Sequence, residues 1–297
     1  MTDNAEKART QRLGRLKAVL DKRLDNPAAA IEALMAELRR GDPQTKLWEA
    51  LHAAAARDAK EQDLATAYLK IATGRRMQQN ELWVQADVLM HAADFVQGVI
   101  GDAAGAEKFL ERVLEAVPDH AEAFARLKRR IGATGDPRRM LELYALVAAS
   151  PKPPDDLARQ VVNTIVPLPA KTPLSDVACK RLVALVPTDP SVLEALEAHC
   201  RKTQRVGLAC ALIEQAIVDP RLSFVIALEQ RRRLIALYTG DADTPAKAIS
   251  HVEQLLNHDP SDETAQTAAE RLLSNREVAP RAAAALQKAR RQARSAG

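Results

Sequence analysis

The chain has 297 residues, 47% of them apolar but only 3% aromatic, which is enough to bury a core and leaves that core to Ala, Leu, Val and Ile. Its net charge of +4 sits at one end: from Arg271 to the C-terminus seven Lys and Arg oppose one acid, Glu277, so this tail carries +6 and the rest of the chain −2. The near-neutral body argues against a uniformly basic nucleic-acid surface, three cysteines without CxxC spacing argue against a disulfide framework, and no apolar run reaches the roughly 18 residues of a membrane span.

The N-terminal "MTDNAEKART" is polar and lacks the apolar centre of a signal peptide. With Cys179, Cys200 and Cys210 expected as reduced, buried thiols, the reading is a cytoplasmic chain without membrane insertion. Arg outnumbers Lys 29 to 14 in an Ala-rich sequence, a composition typical of a GC-rich bacterial genome.

Helical periodicity runs through the chain, with no sustained alternation of β-branched residues and no Asn-Gly hairpin turn. "RTQRLGRLKAVLDKRL" places Leu13, Leu16, Leu20 and Leu24 on one stripe, an amphipathic first helix. "PAAAIEALMAELRRGDP" follows, with Pro27 in a first turn, Ile31, Leu34, Met35 and Leu38 on one face, and Gly41 with Pro43 as the stop. Further along, "TGDP", "PTDPS", "TGDADTP" and "HDPSDE" each join a stop to residues that cap the next helix. Between "ERVLEAV" and "DHAEAFARL", Pro118 closes one helix, and Asp119 is placed to cap its successor. The stops divide the chain into about eight helical hairpins, over 5–40, 43–78, 80–117, 119–150, 153–186, 188–219, 220–258 and 260–294. The 153–186 pair is the least regular, because "TIVPLPAKTP" holds three prolines; it marks either a change of path or a longer loop. The basic end, 276–297, reads as a capping helix, a frayed tail or a binding arm.

The stops are also periodic. Pro118, the Pro151–Pro154 cluster, Pro187, Pro220 and Pro260 follow one another at roughly 33–40 residues, and Trp48 and Trp83 lie 35 apart. In "AEKFLERVLEAVP", Ala106, Leu110 and Val113 stand twelve, eight and five residues before the proline. Ala248, Val252 and Leu255 repeat those offsets before Pro260, and Ser175, Cys179 and Leu182 do so before Pro187. This pattern resembles the second half of the tetratricopeptide repeat (TPR), over residues 43–275. The first half departs from it: Trp48 and Trp83 resemble the early aromatic, but His52 and Asp87 stand where the repeat has glycine. The resemblance implies one all-α domain over 1–297, a right-handed α-solenoid whose first helices line a groove.

Catalytic and cofactor motifs are missing from the sequence. The six histidines form neither HExxH nor a Cys/His ligand set, and there is no GxSxG, no P-loop and no GxGxxG after a strand. Gly101 and Gly105 open a helix within a repeat, and Asp155–Asp156 suits a helix start. The expectation is a non-enzymatic scaffold without cofactor or metal, binding a protein or peptide segment. The candidate contacts are arginines and an asparagine on first helices: Arg126, Arg129, Arg130, Arg159, Asn163, Arg201, Arg231 and Arg232. Guanidinium groups there suit an acidic segment. A nucleic-acid-associated repeat using the same clusters and the basic tail is the alternative, and a structural module of a larger assembly is another.

Overall fold

The computed structural model describes residues 2–22, 24–41, 45–240 and 244–296. Pro43 and residues 241–243 of the "TGDADTP" turn lie outside them. Every regular element among the described residues is helical, so the fold is all-α. Contacts cluster into two compact units, residues 1–134 and 135–297. Within each, helices pack on their sequence neighbours and on the helix one further along, which is solenoid-like packing.

The first unit comprises α1 (Thr2–Lys22), α2 (Pro27–Leu38), α3 (Thr45–Arg57), α4 (Glu61–Thr73), the single turn α5 (Arg75–Gln78), α6 (Leu82–Phe95), α7 (Ala103–Ala116) and α8 (Ala121–Thr134). Helix α1 packs on α3, α2 on α4 and α4 on α6. Pro27 begins α2 because its missing amide is one the first turn leaves unpaired, and the Asn26 side chain accepts from the Ala29 amide at 3.1 Å. After Phe95, α6 widens into a π-turn, Val96–Ile100. Gly101, at φ 75°, ends it in the left-handed region where a side chain is strained. Asp102 then caps α7, accepting from the Gly105 amide at 2.9 Å. The start of α8 differs from expectation. The chain turns tightly from Val117 to His120, so Asp119 falls one residue early; the His120 ring Nδ1 takes the cap, accepting from the Ala123 amide at 3.2 Å.

The second unit comprises α9 (Pro137–Val147), α10 (Leu157–Ile165), α11 (Asp176–Leu182), α12 (Ser191–Lys202), α13 (Val206–Ile217), α14 (Phe224–Thr239), α15 (Ile249–His258), α16 (Glu263–Leu272) and α17 (Ala279–Ala296). Short 3-10 turns, Val183–Leu185 and Pro245–Ala248, extend α11 and precede α15. Asp136, Ser175, Ser223 and Asp262 each cap the helix that follows with a side-chain oxygen. The proline-rich stretch after α10 is a loop whose Leu168 and Leu174 are buried. Its carbonyls are satisfied from outside it: Lys202 donates to Leu168 at 2.8 Å, the His199 ring lies 3.1 Å from the Thr172 oxygen, and Arg205 reaches Leu174. The basic helix α17 packs on α15 and α16 through Ala282, Leu286 and Ala289. Arg281 grips Glu253 with two bonds of 2.9 and 2.6 Å.

Two of the three repeated sets are wholly buried, and in the third Cys179 and Leu182 are buried while Ser175 is half-buried. Ala106, Leu110 and Val113 of α7 are buried, as are Ala248, Val252 and Leu255 around α15. Cys179, Cys200 and Cys210 are reduced and buried. Cys200 shares a hydrogen bond with Cys179.

Candidate binding cleft

Helix α8 buries Ala123, Leu127 and Ile131, spaced four apart, against its unit. This spacing turns Arg126, Arg129, Arg130 and Ala133 onto one neighbouring stripe. Facing them are Asp94 at the end of α6 and Gln97 and Gly98 of the π-turn, with Leu110 of α7 below. Together they enclose an open cleft of ≈ 560 Å³.

The three guanidinium groups differ in state. Arg126 donates to Asp94 Oδ1 at 2.6 Å and to Gln97 Oε1 at 3.1 Å, which ties the stripe to the π-turn. Arg130 pairs with the buried carboxylate of Glu107. Arg129 is exposed and has no hydrogen-bond or ion-pair partner among the described residues. Two of three positive charges are thus neutralised in place, and one remains to face the cleft.

The π-turn supplies the other polarity. Val96 O takes the amides of Gly101 and Asp102, the latter at 3.1 Å. The carbonyls of Gln97, Gly98 and Val99 follow at a helix end, where no later turn provides donors. All three residues are exposed. π-turns within α-helices are frequent at functional sites.

Behind Asp94 lies a cluster of rings. Trp48 is fully buried and stacks on His91 at 4.6 Å between centroids. His52 lies 4.9 Å from Phe95 and 2.9 Å from the Tyr68 hydroxyl. Burial pushes His52 down to about 4, the nearby His91 ring adds to this, and Asp94 opposes it. Burial lowers His91 and raises Asp87, although the two attract across 3.7 Å. The rings are therefore held neutral, and Asp94 is the charge that both the cluster and Arg126 feel.

The remaining predicted contacts lie in the second unit and do not converge. Arg159 and Asn163 are exposed on one face of α10. Arg201 pairs with Glu197 of its own helix at 3.5 Å. Arg231 Nη1 lies 3.3 Å from His251 Nδ1. Arg232 binds the buried Asp262 at 2.8 Å and Glu229 at 3.2 Å. Arg233 completes the run by reaching Glu194 and Glu197 at 3.4 and 3.6 Å. The "RRR" of α14 therefore ties neighbouring helices together. Sequence reasoning missed Asp94, Gln97 and Glu107, because nothing local marks a side chain on α6, the π-turn or α7 as the partner of an arginine more than twenty residues away.

No group of His, Cys, Asp and Glu among the described residues is placed to hold a metal ion, and no helix there is long and apolar enough to cross a membrane. No protein-family model matches the chain, and no curated protein matches it.

Proposed function

We propose that the chain is a non-catalytic interaction scaffold of TPR-like helical repeats, acting in the cytoplasm, and that the α6–α8 cleft holds an acidic segment of a partner protein. The observation that carries this reading is Arg129: one unpaired guanidinium on a stripe whose other two arginines are fixed by Asp94 and Glu107. A single carboxylate meets that geometry, as a bidentate partner for the guanidinium. Leu110 and Ala133 accommodate an aliphatic neighbour of that carboxylate, and the free π-turn carbonyls accept the amides of an extended strand. The repeated buried triads support the repeat assignment.

The nucleic-acid reading has less support. Binding a phosphate backbone needs several unneutralised cations in register, and strong salt dependence follows from them. The cleft offers one, and the arginines of α14 are engaged within the fold. The test is a fluorescence-anisotropy titration of the full chain against a labelled Glu/Leu-rich peptide and against a single-stranded RNA, each at low and high salt. The proposal expects peptide binding with a salt slope near that of one ion pair. Tighter RNA binding with a slope several times steeper overturns it.

A further inference from the structure

A second cavity, of ≈ 330 Å³, lies wholly within the second unit, between α13, the end of α14 and the 3-10 turn before α15. It holds far more than one water, whose share of liquid volume is about 30 Å³. Glycine and small residues open it: a Cβ at Gly207 would meet no atom within 4 Å, and Cys210 and Ala211 line the same wall.

Its carboxylate, Glu214, is held in place. Glu214 Oε1 accepts from the Tyr238 hydroxyl at 2.5 Å. The same oxygen lies 3.8 Å from His251 Nε2. Arg231 can only donate, so His251 Nδ1 at 3.3 Å is the acceptor and the ring proton sits on Nε2, directed at Glu214. Burial holds this imidazole neutral, with Arg231 adding to the effect. Three helices thus fix one carboxylate oxygen at the cavity wall. Lys247, exposed, lies over the Tyr238 ring, 6.0 Å from its centroid.

Glu214 and Lys247 line one cavity with opposite charges and do not pair with each other. Four other acids of this unit are paired with cations: Asp176 with Arg205, Asp219 with Arg221, Asp262 with Arg232 and Glu253 with Arg281. Two opposite charges that line one cavity without pairing suit a molecule carrying both. We propose that this cavity binds a small zwitterion bearing a primary amine and a carboxylate, of free amino-acid size, with its ammonium on Glu214 and its carboxylate on Lys247. The site is separate from the α6–α8 cleft, and neither reading depends on the other.

The test is calorimetry and thermal shift on the full chain with a panel of free amino acids. Each is paired with two analogues that lack one charge, as propionate and ethylamine do for alanine. The expected result is binding of at least one zwitterion at millimolar concentration or below, with each single-charge analogue weaker by about tenfold or more, the worth of one charge-assisted bond. Glu214→Gln and Lys247→Met should each reduce binding to the level of the corresponding analogue. Gly207→Val, which places a branched side chain in the open space at one wall, should weaken binding while circular dichroism stays unchanged. Failure of every zwitterion in the panel to bind, or binding that survives both charge variants, overturns the proposal.

Discussion

His52 should make the first unit acid-sensitive, and its share can be worked out. Its ring is enclosed by Phe95, Tyr68 and His91, and burial lowers its pKa from 6.5 to about 4. In the unfolded chain it titrates near 6.5. Between these values the unfolded state binds the proton and the folded state does not, so stability falls as pH falls. The contribution is complete above about 6.5, is lost as pH drops toward about 4, and is flat below that. Each pKa unit is worth about 1.4 kcal/mol, so moving from about pH 7 to about pH 5 removes roughly 2 kcal/mol. The assay is urea unfolding across this range, followed through Trp48, whose buried indole stacks on His91. His52→Phe keeps an aromatic ring against Phe95 but cannot titrate. It also leaves the Tyr68 hydroxyl without its partner, so the slopes against pH are compared rather than the absolute stabilities. His91 and Asp87 remain as a common background. The variant should lose roughly 2 kcal/mol less than wild type over the interval. Equal slopes would refute the claim that burial keeps His52 neutral.

Other consequences follow from single contacts. Arg130→Ala removes a cation paired with the buried Glu107 and should destabilise the first unit by about 1–3 kcal/mol in chemical denaturation, with Glu107→Gln in the same chain restoring part of the loss. Asp262→Ala removes both the cap of α16, a 2.8 Å bond to the Ala265 amide, and the partner of Arg232; it should cost about 1–2 kcal/mol from the cap alone, read as a lower Tm. Truncation before Ala279 uncovers the faces of α15 and α16 that Ala282, Leu286 and Ala289 cover, so the second unit should melt earlier and bind a hydrophobic dye. An unchanged melting curve would mean that α17 does not act as a cap.

Helix placement was legible because it rests on local chemistry. Proline, glycine and a short polar side chain act on the turn they occupy, so "GDAAGAEK", "TGDP" and "HDPSDE" reveal their helix starts without any tertiary knowledge. The same logic slipped at Asp119, where a tight turn moved the cap onto His120, and a histidine ring is not a usual cap. The π-turn was invisible, since "VQGVI" reads as an ordinary helix end. The cleft was half legible. The sequence places Arg126, Arg129 and Arg130 on one first helix, but which of them is neutralised depends on how α6, α7 and α8 pack, and that relates residues far apart in the chain. Arg231 and Arg232 show the limit: their place on a first helix makes them candidate partner contacts, whereas the fold engages them with His251 and Asp262 of neighbouring helices.

The most direct test of the cleft compares two arginines that are both exposed and both without partners among the described residues, Arg129 in the cleft and Arg159 on α10. The peptide dissociation constant is measured for Arg129→Ala and Arg159→Ala under identical conditions. The account predicts that Arg129→Ala weakens binding about tenfold or more while Arg159→Ala leaves it within about twofold, because only the first removes a bidentate partner for the carboxylate. Equal losses from both variants, or none from either, would contradict it.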